Sequence, residues 1–161
     1  MLDVYIDMDG VTVDFYSMAA KILGVPYRSI EPMQTWSVLE KIDHFFLTLP
    51  KMHDADVLWA GVKANSKSLS VLTASPRPTG KLVTAAADKR EYIRKHFDPR
   101  TPVIVMKDGT RKAEFARPTA ILIDDLKRNV DLWELHGGIG ILHTSAVDTL
   151  EKLKKIQALH R

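Results

Sequence analysis

An α/β fold built on a parallel sheet is what this sequence predicts, and three observations carry that expectation. Short apolar runs alternate with segments of helical periodicity along most of the chain. Three of the runs end in polar clusters: Asp7-Met8-Asp9, Thr73-Ala74-Ser75 and Asp124-Asp125. Parallel α/β sheets bind ligands outside the carboxyl ends of their strands, near the point where strand order reverses, so clusters at three such ends point to one site.

The first strand spans residues 2–7, and Gly10 after the carboxylates lets the backbone turn tightly. Residues 13–23 have helical spacing, with Gly24 and Pro26 as stop signals. From about residue 15 to 67 the alternation lapses. This stretch holds no convincing strand and several short helical pieces, such as 37–47, punctuated by Pro26, Pro32 and Pro50. It reads as a small helical cap inserted after the first strand, leaving 1–14 and 68–161 as the core domain. Strands are expected over 69–73, 102–106, 119–123 and 139–143. Helices are expected over 88–97, 126–136 (closed by Gly137-Gly138) and 145–159, where Ser145 and Asp148 resemble a capping box. Lys152, Lys154 and Lys155 read as the solvated face of that last helix.

A chain of 161 residues can bury one proper core and carry a modest insertion. It has no cysteine, which removes disulfides, thiolate metal sites and cysteine nucleophiles from consideration. A formal charge of +3 fits an anionic substrate without requiring nucleic acid. No signal peptide or membrane-spanning stretch is visible, so the expected location is cytoplasmic.

Crowded carboxylates repel unless a cation or proton neutralises them. If the first strand is central, with the Thr73 and Asp124 strands on either side, Asp7, Asp9 and Asp124 converge. Such a set suits Mg²⁺, a hard cation that prefers oxygen ligands. Asp7 could attack phosphorus, while Asp9 could protonate the leaving alkoxide and then activate water. Thr73 and a lysine could hold the transferring phosphoryl oxygens.

Asp7-Met8-Asp9-Gly10-Val11, Leu72-Thr73, a later lysine and Ile123-Asp124-Asp125 resemble, in order, the four motifs of the haloacid-dehalogenase (HAD) phosphohydrolases. The longer run Asp7 to Phe15, Thr73-Ala74-Ser75-Pro76, and Leu122 to Asp125 with Asn129 are similar to the 5′(3′)-deoxyribonucleotidase family. The resemblance implies a HAD-like Rossmannoid three-layer sandwich, sheet order 3-2-1-4-5, with a small helical cap after the first motif. It also implies Asp7 as nucleophile and Asp9 as general acid/base, the latter meeting the metal through its backbone carbonyl. Thr73 and Ala74 match the phosphate-binding motif, and Asp124 matches the metal ligand, with Asp125 beside it. Lys112, which opens a short helical piece, is preferred as the motif lysine over Lys107, which directly follows a strand. Lys89 also falls where the family carries a lysine, but is read as an exposed helix residue.

Each cluster has a bland reading as well. Asp124-Asp125 could cap the next helix, Thr73 and Ser75 could be turn residues before Pro76, and Asp14 reads best as a first-turn acid of its helix. All of these holding by chance, in motif order, is harder to explain than one active site. In the cap, Phe15 and then Trp36 are the leading candidates to face a nucleobase. Phe45 and Phe46 are expected to include a core residue, and Trp133 is expected in the core.

The expected activity is therefore Mg²⁺-dependent hydrolysis of (deoxy)nucleoside monophosphates through an aspartyl-phosphate. The alternatives are a HAD phosphatase for a sugar phosphate or a nucleic-acid 3′-phosphate, and a non-catalytic binding module on the same fold. The expected partner is a small-molecule phosphomonoester. A polynucleotide is disfavoured by the lack of a long basic stripe, no membrane partner is expected, and a homodimer is left open.

Overall fold

Alternation along the strands decides the architecture. In the computed structural model, which describes residues 1–160, five parallel strands form one sheet. They are β1 (Asp3–Ile6), β2 (Ser68–Ala74), β3 (Val103–Met106), β4 (Ala120–Asp124) and β5 (Ile139–Leu142), in the order β3-β2-β1-β4-β5. Successive side chains point to opposite faces. Val4, Ile6, Val71, Ile121, Ile123 and Ile141 accordingly enter one buried cluster, while Leu72, Ala120 and Leu122 enter another with Trp133. Both faces are covered, as an all-parallel sheet requires.

The described residues form six α-helices: α1 (Phe15–Leu23), α2 (Pro32–Leu39), α3 (Ala55–Ala64), α4 (Ala85–His96), α5 (Lys127–Leu135) and α6 (Ala146–Leu159). The larger cluster takes Leu58, Trp59 and Val62 of α3, Tyr92 and Ile93 of α4, and Leu153 of α6. The other face is closed by α5 and by a 3₁₀ segment, Gly109–Phe115. Trp133 is fully buried there, as expected, and its indole donates to the Ala120 carbonyl at 3.3 Å.

Three expectations need correction. The helix expected at 37–47 is instead α2, which starts at Pro32, and a separate 3₁₀ turn, Phe45–Leu47. Proline is at home in a first helical turn, and the Glu40 carbonyl beyond α2 accepts from Lys81 N–H at 2.8 Å instead of continuing a helix. The chain then turns through His44, whose φ is +47°. The first helix begins at Phe15 rather than 13, because the Asp14 side chain caps it, accepting from Ser17 N–H at 3.2 Å. Asp14 is thus the cap itself rather than an acid within the first turn.

The third concerns α3, which had not been anticipated inside the 15–67 segment. It lies against α6, where Gly61 lets the helices approach so closely that a Cβ would meet the Leu150 side chain. Asp54, just before α3, accepts from the Ala146 N–H that opens α6, at 2.7 Å. α3 therefore belongs to the layer against the sheet. The helical material above the strand ends is α1, α2 and the turns around them.

Candidate active site

Sheet register assembles the site. Ile6 pairs with Val71 on one side and Ile123 on the other, so the chain leaves β1 at Asp7 between the ends of β2 and β4. The Asp7 N–H continues the ladder, donating to Ile123 O at 3.0 Å. Beyond it the backbone folds back sharply. The N–H groups of Val11, Thr12 and Val13 all donate to Met8 O, within 3.1 Å. Gly10 takes φ +80°, and a Cβ there would collide with the Asp125 carboxylate and the Tyr16 ring, so this turn needs glycine. The result is Asp7 and Asp9 held rigidly above the sheet.

Two buried lysines divide the carboxylates between them. Lys112, 2% exposed, comes from the 3₁₀ segment and places Nζ 2.8 Å from Asp7 Oδ1 and 2.7 Å from Asp124 Oδ2. Lys107, the other candidate lysine, is exposed, and Lys112 is the one whose side chain reaches the strand ends. Lys89 reverses the expectation of an exposed residue. It is completely buried, and its Nζ donates to Asp9 Oδ2 at 2.7 Å and Thr73 Oγ1 at 3.1 Å. A partial signal was available, since Lys89 shares a helical face with Ala85, Tyr92 and Ile93, although the buried Asp88 lies at the edge of the same face. Thr73 is itself fully buried at the end of β2, with Ala74 next to it in the pocket wall.

Asp124 is fully buried and heavily bonded. Its Oδ1 accepts from Leu126 N–H at 2.9 Å, and its Oδ2 also accepts from Asn129 Nδ2 at 3.0 Å. Asp124 does not cap α5, whose N-cap is Leu126 without a side-chain cap bond; its carboxylate binds the Leu126 N–H ahead of the helix, Asn129 and Lys112. Carboxylate oxygens of Asp7, Asp124 and Asp125 lie within 4.8 Å of one another. Asp9 stands outside this trio with its carboxylate on Lys89, and Asp125, which had only been placed beside Asp124, supplies the third side chain.

The electrostatics leave room for a cation. Burial pushes the Asp7 carboxyl well above its ordinary value against the pull of Lys112, and Asp124 and Asp9 add to the rise. Burial, with the charge of Asp124, lifts Asp125 to about 6, partly opposed by the Tyr16 hydroxyl beside it. Asp9 Oδ1 and Asp125 Oδ1 are buried without a hydrogen-bond partner among the described residues. Orphaned buried carboxylate oxygens are costly unless something binds them. An all-oxygen donor set with unpartnered atoms fits a hard divalent cation.

Above these residues lies a cavity of about 220 Å³ whose walls include Asp7, Asp9, Lys112, Phe15, Trp36 and Phe46. Phe15 is only 3% exposed, stacked on Phe46 at 6.2 Å and met edge-on by Tyr27 at 4.9 Å. Trp36 is half-buried and keeps more surface free. Phe45 and Phe46 are both buried, and Phe46 also carries Lys89 Nζ 4.5 Å from its ring centre. Tyr16, Tyr27 and Arg28, none of them singled out by the sequence, complete the cap side of the wall.

No protein-family model and no curated protein matches the sequence. Solved structures do. A hydrolase from Streptococcus pneumoniae TIGR4 aligns with a TM-score of 0.56 at 11% identity, over 94% of this chain and 97% of that one. A candidate β-phosphoglucomutase from Thermotoga maritima aligns at 0.55 and 15% identity, over 97% of this chain and all of that one. A HAD family hydrolase from Deinococcus radiodurans, solved with bound phosphate and sodium, aligns at 0.51 and 14% identity, over 94% and 87%. The chain has an α/β HAD-like fold, with the sheet order that the motif resemblance implied. Among the described residues no helix is long and apolar enough to cross a membrane.

Proposed function

We propose that this protein is a Mg²⁺-dependent phosphomonoesterase that hydrolyses nucleoside monophosphates, deoxyribonucleotides included. The observation that carries the proposal is the separation of charge between the two lysines. Lys112 holds Asp7 with one oxygen, while Lys89 holds Asp9 and Thr73, so two carboxylates with different environments face one cavity.

The chemistry follows from those environments. A carboxylate oxygen of Asp7 attacks phosphorus, and the bond from phosphorus to the ester oxygen breaks. Asp9, fixed by Lys89 through Oδ2, has Oδ1 unpartnered and delivers a proton to the departing alkoxide. Water then attacks the aspartyl-phosphate and Asp9 takes its proton. The bond from phosphorus to Asp7 breaks, releasing inorganic phosphate and regenerating the Asp7 carboxylate. Thr73, the Ala74 backbone and Lys89 hold the phosphoryl oxygens, and Lys112 keeps Asp7 oriented between attack and release. Mg²⁺, held by Asp7, Asp124, Asp125 and the Asp9 carbonyl, would neutralise the carboxylates and the charge developing on the phosphoryl group.

The leaving group lies under the cap. Trp36 borders both the phosphate cavity and a groove of about 560 Å³ between α2 and the loop after β2. It presents an aromatic face where a nucleobase would lie, whereas Phe15 backs the ring cluster from within. Deoxynucleoside monophosphates should therefore release phosphate faster than sugar phosphates of similar charge. Trp36→Ala should lower the ratio of nucleotide to nitrophenyl phosphate turnover by about 5- to 150-fold, the equivalent of roughly 1–3 kcal/mol of stacking. An unchanged ratio with a lowered melting temperature would make Trp36 a packing residue and favour the sugar-phosphate reading.

Metal binding has a signature independent of turnover. Because the folded-state pKa values of Asp7 and Asp125 are raised, the folded chain binds more protons than the unfolded chain above the ordinary carboxylate value. Without a cation, stability therefore falls as pH rises through that window. His143, depressed by burial, acts in the opposite sense below its ordinary value of 6.5. The difference between chelated and Mg²⁺-loaded protein isolates the carboxylates. Mg²⁺ should raise Tm more near pH ~8 than near pH ~5, and calorimetric melts showing equal gains at both would contradict this ligand set.

A further inference from the structure

Among the described residues four of eight arginines hold a carboxylate, and three of those that do not lie around the proposed active site. Among the described residues Arg94, Arg100, Arg111 and Arg117 each hold a carboxylate, and Arg90 donates to the Ala86 carbonyl. Arg28, Arg77 and Arg128 hold none. Arg28 from the cap and Arg128 from α5 line the same cavity as Asp7 and Lys112, and Arg77 lines the groove that Trp36 shares with that cavity. Asp108 feels the charge of Arg128 but lies beyond ion-pair distance.

Arg28 is also held where a side chain is disfavoured. Its φ is +71°, in the left-handed region that glycine occupies without penalty, although its neighbourhood gives it no carboxylate in return. Its guanidinium instead lies 5.6 Å from the Tyr16 ring centre and 5.5 Å from that of Tyr27, beside the cavity that both rings line. Arg28 and Arg128 are both exposed, and the left-handed backbone at Arg28 brings its guanidinium to the rim of the cavity, where an anionic group could reach it.

Resting on the phosphatase reading above, we infer that the preferred substrate carries a second phosphate, bound by Arg28 and Arg128 while the first is hydrolysed over Asp7. Guanidinium suits this role because its planar fork grips phosphate oxygens with paired, charge-assisted hydrogen bonds. A nucleoside or sugar bisphosphate has the required chemistry. A plain monophosphate leaves both arginines unused.

The test compares nucleoside 5′-monophosphate with nucleoside 3′,5′-bisphosphate, and glucose 6-phosphate with glucose 1,6-bisphosphate, the second pair distinguishing a sugar from a nucleotide carrier. Wild-type kcat/KM should favour the bisphosphate of one pair by about tenfold or more. Arg28→Gly removes the guanidinium while relieving the backbone, so Tm should hold or rise as the preference collapses. A merely structural Arg28 predicts the reverse, a preserved preference with altered stability. Arg128→Gln should reduce the preference independently. Binding of the same ligands to the Asp7→Asn protein by calorimetry keeps the two claims apart. Absence of wild-type turnover on every ester overturns the phosphatase reading, whereas equal Kd for mono- and bisphosphate in both pairs overturns the role of Arg28 and Arg128.

Discussion

Asp7→Asn should abolish phosphomonoester hydrolysis, with kcat reduced by at least about 10³-fold, because an amide oxygen is a far poorer nucleophile than a carboxylate. The fold should survive. Asn is nearly isosteric with Asp, can still accept from Lys112, and removes a negative charge that is crowded by Asp124 and Asp9. Burial disfavours the ionised Asp7 in the cation-free state, so the substitution should leave Tm unchanged or raise it. Phosphate release and thermal melts measured on the same preparation decide the matter. Activity within tenfold of wild type would remove Asp7 as nucleophile, and loss of activity with a collapsed Tm would make it a folding residue.

How much of this could be read beforehand depends on the range of the interaction. All five strands were legible because each is a short apolar run with polar punctuation, a signal contained in a few residues. Asp7, Thr73 and Asp124 were legible for the same reason, since each ends a strand. The buried role of Lys89 was not, because a lysine in a helix is normally solvated and its partners, Asp9 and Thr73, lie 80 and 16 residues away in sequence. The helix α3 did carry a local signal, Ala55, Leu58, Trp59 and Val62 at helical spacing, but its place against the sheet depends on α6, through Gly61 against Leu150 and Asp54 against the Ala146 N–H. The choice between Lys107 and Lys112 was local in sequence but long-range in cause. The Gly109–Phe115 turn directs Lys112 inward, whereas Lys107 stays exposed.

Lys112→Met should be the most damaging single change to both stability and activity. Methionine keeps an unbranched chain of similar reach, so the substitution removes charge more than volume. It strips the cation from between Asp7 and Asp124, which are 6% and 0% exposed and have their other neighbours fixed. Breaking a buried pair on one side leaves an uncompensated charge, a loss of about 3–5 kcal/mol. At roughly 2–4 °C per kcal/mol for a chain of this size, Tm should fall by roughly 6–20 °C. Lys107→Met, at an exposed position, should change Tm by no more than about 1–2 °C and leave phosphate release intact, because surface substitutions of this kind are worth within about 0.5 kcal/mol. Mg²⁺ offers the discriminating third arm. If Asp7 and Asp124 are metal ligands, the ion should recover part of the Tm lost by Lys112→Met, since it supplies charge to the same oxygens. It should not restore turnover, because Asp7 would no longer be held by Lys112 in its attacking position. A Tm loss that is indifferent to Mg²⁺ would mean that the lysine alone neutralises these carboxylates and that the cation binds elsewhere or not at all.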